Sequence, residues 1–208
     1  MLVVHHLNNS RSQRILWLLE ELGLSYELRH YRRDPKTNLA PPELKAIHPL
    51  GKSPLLTDNG HVVFESGAII DHVIRHHGGG RLRPDPASPD HDAYQMWLHY
   101  AEGSAMLPFM LHLYVSRLGD AGKPLHQRIR DEIANHLGYI EASLTDRDFI
   151  VGDSLTGADI NLSFVGEIAG VYGMRKDYPH VDRWVRRLHA RPAWHTALGK
   201  GGVYAFGD

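Results

Sequence analysis

A change of hydrophobic period divides this chain. Up to residue 77 short β-like runs alternate with helical ones, and beyond residue 90 only the helical period remains. Between the two lies GGGRLRPDPASPD, residues 78–90, whose three glycines and three prolines read as a linker with a stiff second half. One repeating layer cannot satisfy both periods, since strands bury every second residue and helices one stripe in 3.6. The chain is therefore expected to form an α/β unit over 1–79, a linker at 80–89 and an all-α unit over 90–208.

In the first stretch, 2–6 reads as a strand. From Ser12 the spacing turns helical, with Ile15, Leu18, Leu19 and Leu22 on one stripe and Gly23 as the stop. Residues 25–31 read as a second strand, 34–42 as a loop and 43–47 as a single helical turn. Two further strands, 54–57 and 61–64, are joined by Asp58-Asn59-Gly60, a good hairpin turn. Ser66 is expected to cap a helix that runs through Ile69, Ile70, Val73 and Ile74 to Gly78. The order β-α-β-α-β-β-α makes the first two strands parallel and the last two antiparallel, a mixed sheet. Helical periods then cover 90–118, 125–144, 156–172 and 181–190, with a short turn at 192–198. Pro108 is expected to kink or break the first of these.

Composition limits the function classes. With 208 residues and 42 % apolar content the chain can build a core without staples. Its 23 basic and 24 acidic residues, net −1, favour neither nucleic acid nor an anionic membrane as a partner. No apolar run approaches the ~20 residues that span a bilayer. The opening MLVVHHLNN lacks the basic and long apolar regions of a secretion signal, so a cytoplasmic location is expected. The chain has no cysteine, which excludes a disulfide, a thiolate metal site and a protein-borne redox thiol. Any sulfur chemistry must use a thiol that a ligand brings. Among the 16 histidines, His5–His6 and His76–His77 are adjacent pairs that point apart, and His72 and His76 lie i, i+4 without an HExxH pattern. They read as solvated surface groups, and no metal is expected.

Three stretches carry candidate chemistry. In HPLGKSPLL, 48–56, Pro54 cannot sit in a central ladder, and it leaves Ser53 extended with its backbone free for a peptide-like ligand or for an ordinary turn. In FESGAII, 64–70, Glu65 and Ser66 stand where a strand gives way to a helix N-terminus. A carboxylate and unpaired N–H groups there match the two charges of an α-amino acid head group, or simply make a cap with an acidic first turn. In HHLNNSRSQR, 5–14, Ser10 and its neighbours offer donors beside the next helix. Lowering a thiol pKa of about 8.5 by ~2 units requires roughly 2.7 kcal/mol of selective stabilisation, the order that one or two hydrogen bonds to a charged sulfur provide.

Together, these three stretches in one α/β layer, with ILWLLEELGLSYEL and GDSLTGADI at 152–160, resemble the cytosolic glutathione S-transferase family over essentially the whole chain. The flavour of SRSQRILWLLEEL is similar to bacterial and fungal members with a serine-type site. The resemblance implies a thioredoxin-like N-terminal domain that binds glutathione and a helical domain that lines the second-substrate pocket. It implies that Glu65 and Ser66 hold the γ-glutamyl group, and that Ser53, before a cis Pro54, pairs with the cysteinyl unit. Lys52, with His48 as the weaker candidate, would face the glycyl carboxylate. Ser10 would donate to the sulfur, with Asn9 and Arg11 as rivals. The implied reaction is attack of the thiolate on a small hydrophobic electrophile, or reduction of an organic peroxide, by a homodimer without metal. A non-catalytic ligand-binding or interaction protein of the same fold is the alternative, and an isomerase or dehalogenase that uses glutathione is a third reading.

Two further expectations concern the second half. MWLHYAEGSAMLPFMLHLY, 96–114, offers Trp97, Tyr100, Met106, Phe109, Met110 and Tyr114 to an adaptable apolar pocket, although core packing explains most of them. Glu102 and Ser104 would reach a partner's glutathione. In GDSLTGADI, Thr156 and Asp159 have capping-box spacing at the start of a buried helix. The glycines of GKGGVYAFGD at the end suggest a flexible tail.

Overall fold

The computed structural model describes residues 1–207 and contains two compact units, one formed by Met1–Arg83 together with the chain from Leu188 onward, the other by Pro84–Arg187. The sequence expectation assigned all of 90–208 to the helical domain. Residues from Leu188 instead pack with the first unit.

In that unit, β1 (Leu2–Leu7) is buried along its whole length, which places it inside a four-stranded sheet of order β2-β1-β3-β4. The helix α1 (Ser12–Leu22) crosses from β1 to β2 (Tyr26–Tyr31), and the two strands pair in parallel from Leu2 opposite Tyr26 to Leu7 opposite Tyr31. The short α2 (Glu43–Ile47) precedes β3 (Leu55–Asp58), which runs antiparallel to β1 with Leu2 opposite Asp58 and His5 opposite Leu55. The Asn59-Gly60 turn, with φ of 48° and 86°, joins β3 to β4 (His61–Phe64). Positive φ at both central residues is what a two-residue hairpin needs, and Asn-Gly meets it at the least cost. The sheet is thus mixed and the unit thioredoxin-like, as expected.

The helix α3 (Ser66–His77) follows β4 and ends at Gly78. Its cap differs from the expectation. Glu65 is the capping residue, at φ 70°, and Ser66 is already the first helical residue, so no side chain caps the helix.

Helix α1 is buried on more than the expected stripe, with Leu16 and Trp17 at 0 % exposure. The cause is α9 (Pro192–Gly201), which packs on the face that sequence left to solvent. Trp17 meets Trp194 edge to face at 5.3 Å, and Glu21 accepts two bonds from Arg191 at 2.5 and 3.0 Å. The expected flexible tail is tied down too. Tyr204 packs edge to face on Trp194 and Phe206 on Tyr204, and the Ala205 N–H donates to Asn9 Oδ1 at 2.8 Å. Two aromatic residues among the glycines provide the apolar contact that a disordered tail lacks.

The second unit holds α4 (Asp90–Tyr100), α5 (Leu107–Val115), α6 (Lys123–Ser143), α7 (Gly157–Val171) and most of α8 (Pro179–His189). The expected single helix over 90–118 is interrupted by a π-helical turn, Ala101–Ala105, so that Pro108 falls in the first turn of α5. The physical reason is local: a proline ring clashes with the carbonyl four residues back and lacks an N–H, and the first turn is where neither matters. Helix α7 carries the capping box, and Asp159 is fully buried beneath it. Its carboxylate accepts from the N–H of Ile150 (2.8 Å) and of Thr156 (2.9 Å), from Thr156 Oγ1 (3.0 Å) and from Trp184 Nε1 (3.0 Å). Burial pushes its pKa up and the four donors oppose that shift. Among the described residues, no helix is long and apolar enough to cross a membrane.

Candidate functional site

The registers of the sheet bring the three candidate stretches to one end of the first unit. Strands β1 and β2 both finish there, at Leu7 and Tyr31. Antiparallel β3 starts there at Leu55, opposite His5, and β4 finishes there at Phe64, opposite Leu55. The 8–11 turn, the Ser53–Pro54 step and the β4-to-α3 junction are therefore neighbours, although some 55 residues separate the first from the last.

Ser53–Pro54 is a cis peptide. Ser53 lies outside the ladder, which begins at Leu55, and its hydroxyl donates to the His5 carbonyl at 3.1 Å, which seats the step against β1. Beside it, His48 stacks on Phe64 with ring centroids 4.2 Å apart, and Lys52 is exposed. Glu65 is exposed at φ 70°, ψ 127°, a conformation that costs a non-glycine residue roughly 1–3 kcal/mol. That geometry turns the chain from β4 into α3 and leaves the first N–H groups of the helix without intrahelical partners, with the Ser66 side chain among them. An anion held there meets aligned donors, and a cation beside it meets a carboxylate.

The 8–11 turn is built by residues that sequence reading passed over. Arg33, just after β2, donates to the carbonyls of Asn8 (3.2 Å), Asn9 (3.1 Å) and Asn38 (3.0 Å), and its own N–H donates to Asn8 Oδ1 at 3.0 Å. Burial, with Arg11 nearby, holds its guanidinium below the ordinary pKa. In sequence Arg33 is one charge in the run YRRD and looks like solvated surface. The clamp holds Asn9 at φ 49°.

Beneath the turn runs a hydrogen-bonded chain that decides where the Ser10 proton lies. His6 is 2 % exposed and its pKa falls to about 4, through burial first and His30 second. The ring is neutral near pH 7. Nε2 lies 3.1 Å from the Gly201 carbonyl, which can only accept, so Nε2 carries the hydrogen and Nδ1 the lone pair. Ser12 Oγ lies 2.9 Å from Nδ1 and 3.2 Å from the Leu7 carbonyl oxygen, and its one hydrogen goes to the nearer acceptor, Nδ1. Ser12 Oγ in turn accepts from the Leu7 N–H at 3.2 Å and from Ser10 Oγ at 2.8 Å. Ser10 also accepts the Ser12 N–H at 3.2 Å. The Ser10 hydroxyl is thus turned inward and its residue is 6 % exposed. Asn9 is half-buried, and because its Oδ1 accepts from Ala205, its amide orientation is set with Nδ2 on the other side. Sequence could have flagged His6 and Ser12 only as members of a polar run.

In the second unit, the residues expected to line a pocket divide. Trp97, Met106 and Phe109 are buried, as core packing would have it, and Trp97 stacks on Tyr139 at 5.0 Å. Tyr114 is exposed. Tyr100 is partly buried and its hydroxyl sits 2.6 Å from His136 Nδ1, while burial raises its pKa.

Two family models match the chain: the N-terminal domain of glutathione S-transferases over residues 1–75 and the C-terminal domain over 98–192. The chain is similar to glutathione S-transferase 3 of Schizosaccharomyces pombe, 33 % identical over 96 % of this chain and 88 % of that one. It is also similar to glutathione S-transferase 1 of Saccharomyces cerevisiae, 32 % identical over 95 % of this chain and 94 % of that one. Among solved structures, a glutathione S-transferase from Actinobacillus pleuropneumoniae superposes with a TM-score of 0.90 at 36 % identity, covering 99 % of this chain and 95 % of that one.

Proposed function

The chain belongs to the glutathione S-transferase family, and on that premise we propose how its residues conjugate glutathione to a small hydrophobic electrophile. The enzyme is a transferase with glutathione as co-substrate, and the assignment of residues is our reading. One observation carries it: the cis Ser53–Pro54 step, the helix start at Glu65–Ser66 and the clamped 8–11 turn meet at one end of the sheet. Glu65 meets the ammonium of the γ-glutamyl group, and Ser66 with the helix N–H groups holds its carboxylate. The Ser53 backbone pairs with the cysteinyl unit, and Lys52, with His48 beside it, faces the glycyl carboxylate.

The sulfur then lies over the 8–11 turn. Sequence ranks Ser10 first as its donor. The inward hydrogen bond from Ser10 to Ser12 supports Asn9 Nδ2 instead, with Ser10 able to donate only after its hydroxyl leaves Ser12. Arg11, half-buried at the start of α1, adds positive charge at short range. A donor to the anion favours thiolate over thiol, and the bound geometry aims it at the electrophile. A hydrogen bond to a charged sulfur is worth about 1.5–3 kcal/mol, so Asn9→Ala should lower kcat/KM roughly tenfold to a hundredfold. It should also raise the pH midpoint of conjugation by about one to two units, with Ser10→Ala milder on both. Assay of both variants with an aryl halide tests this. Undiminished rate and unchanged pH profile in Asn9→Ala would return the role to Ser10. Retention on glutathione resin without conjugation or peroxide reduction would instead support a ligand-binding protein.

The expected homodimer has a candidate seam. On α5, Leu107, Leu111 and Tyr114 follow i, i+4, i+7 and are 56, 42 and 56 % exposed, an apolar stripe that pairing with a second copy would cover. A cytoplasmic location remains part of the proposal.

A further inference from the structure

At the other end of the sheet, opposite Leu2 at the start of β1, stands Asp58, the last residue of β3. Helix α3 returns from the candidate site toward that end, and its final turns carry His72 and His77. Both imidazoles aim Nε2 at the same carboxylate oxygen, Asp58 Oδ2, at 3.0 and 2.7 Å. The three ligand atoms all lie within 4.8 Å of one another. Their side chains are mostly sheltered, with 10 % of Asp58, 14 % of His72 and 28 % of His77 exposed. The other oxygen of Asp58 accepts from Asn59 Nδ2 at 3.0 Å, which fixes the plane of the carboxylate. Two cations of these elements are engaged elsewhere: Arg75 of α3 is turned onto Asp71 at 2.6 Å, and the Met1 ammonium donates to Asn59 Oδ1.

We propose that Asp58, His72 and His77 form a binding site for one first-row divalent metal ion of the zinc class. Two imidazoles and a carboxylate are the donor set that Zn²⁺, Co²⁺ and Ni²⁺ accept and that Mg²⁺ and Ca²⁺ do not prefer. With metal–ligand bonds of about 2.0–2.1 Å, the edge of a tetrahedron is roughly 3.3–3.4 Å. The two observed pairs with Asp58 Oδ2, at 3.0 and 2.7 Å, would open by roughly 0.3 and 0.7 Å to reach that edge, a matter of side-chain rotation. The ion takes the place of the two Nε2 hydrogens that now bridge to Oδ2: each ring binds as the neutral Nδ1–H tautomer, any proton beyond that is released to solvent, and a water takes the fourth position. The rings of His61 and His76 lie 6.2 and 4.6 Å from that of His72, so two further imidazoles stand near one of the ligands. No metal motif announces it in sequence, because Asp58 comes from a hairpin and the histidines from a helix, five residues apart. The bound ion would fasten the hairpin to the end of α3, and through α3 to the start that bears Glu65 and Ser66.

The test uses the untagged full chain titrated with Co²⁺, followed by visible absorption and calorimetry, with Zn²⁺ as competitor. The expected result is one equivalent of four-coordinate Co²⁺ per chain, displaced by Zn²⁺, and a higher melting temperature with Zn²⁺ present. Asp58→Asn and His77→Gln should each weaken binding by roughly tenfold or more, while aryl-halide conjugation, which reports that the variants are folded, persists. Absence of stoichiometric binding by the unaltered protein would overturn the proposal, whatever the variants do. So would a Co²⁺ spectrum that survives in the Asp58→Asn, His77→Gln double variant.

Discussion

Acid should weaken the first unit through His6, and the size of the effect follows from its surroundings. The ring is 2 % exposed, gives its only hydrogen to the Gly201 carbonyl and accepts one from Ser12. Protonation would bury a charge and reverse the Ser12 bond, so the folded pKa falls to about 4 from the ordinary 6.5, with burial the first cause. The sign follows from linkage: between these values the unfolded chain binds more protons than the folded one, so stability falls as pH falls. The contribution is complete above pH 6.5 and lost near pH 4. At 1.36 kcal/mol per pH unit the whole interval is worth about 3 kcal/mol. With a urea dependence of about 2 kcal/mol per molar, the unfolding midpoint should drop by about 0.7 M per pH unit in the middle of that window. His5 is also depressed, through burial and then Arg29, and adds to the slope. The measurement is therefore a difference: urea unfolding of the unaltered chain and of His6→Gln from pH 7.5 to 4.5. The variant starts less stable and loses less on acidification. Parallel pH dependence in the two proteins, or an NMR titration of His6 near 6.5, would refute the buried neutral ring and with it the assigned direction of the Ser10 hydroxyl.

Other outcomes follow from the same geometry. Asp159→Ala strands the N–H groups of Ile150, Thr156 and Trp184 in the core, and should cost about 3–5 kcal/mol in chemical denaturation. Gly166→Ala would place a Cβ 2.6 Å from Val185 Cγ2, so the Val185 side chain or the packing of α8 on α7 must shift, and denaturation should show a loss of about 1–3 kcal/mol. Glu65→Gln removes the charge proposed to meet the glutathione ammonium. Steady-state kinetics should show KM for glutathione raised roughly tenfold with kcat little changed, the pattern of lost uniform binding.

Much of the fold was legible because its determinants are local. The alternation of VVH and ILWLL, the Asn59-Gly60 turn and the Thr156–Asp159 spacing each act within a few residues, and each appears in the structure where its pattern lies. The π-helical turn before Pro108, the cap at Glu65 and the packing of α9 on α1 were not legible. The first two depend on how the backbone relieves strain at a junction. The third depends on Trp194 and Arg191 finding Trp17 and Glu21 across some 170 residues, for which periodicity carries no signal.

The candidate site divides in the same way. Sequence by itself determined the residue types: donors without a cysteine at 8–14, a proline at the start of a strand, an acid and a hydroxyl at a helix start. Those features reside in short runs of side chains and constrain the ligand's chemistry wherever they are placed. Only the tertiary structure decided which way the hydrogens of these donors point. The Ser10 proton points inward because Ser12 gives its own hydrogen to the nearer acceptor, His6, whose one hydrogen is held by the carbonyl of Gly201, 195 residues further along the chain. A hydrogen bond that long in sequence, and the burial that keeps the ring neutral, exist only after the last helix has docked.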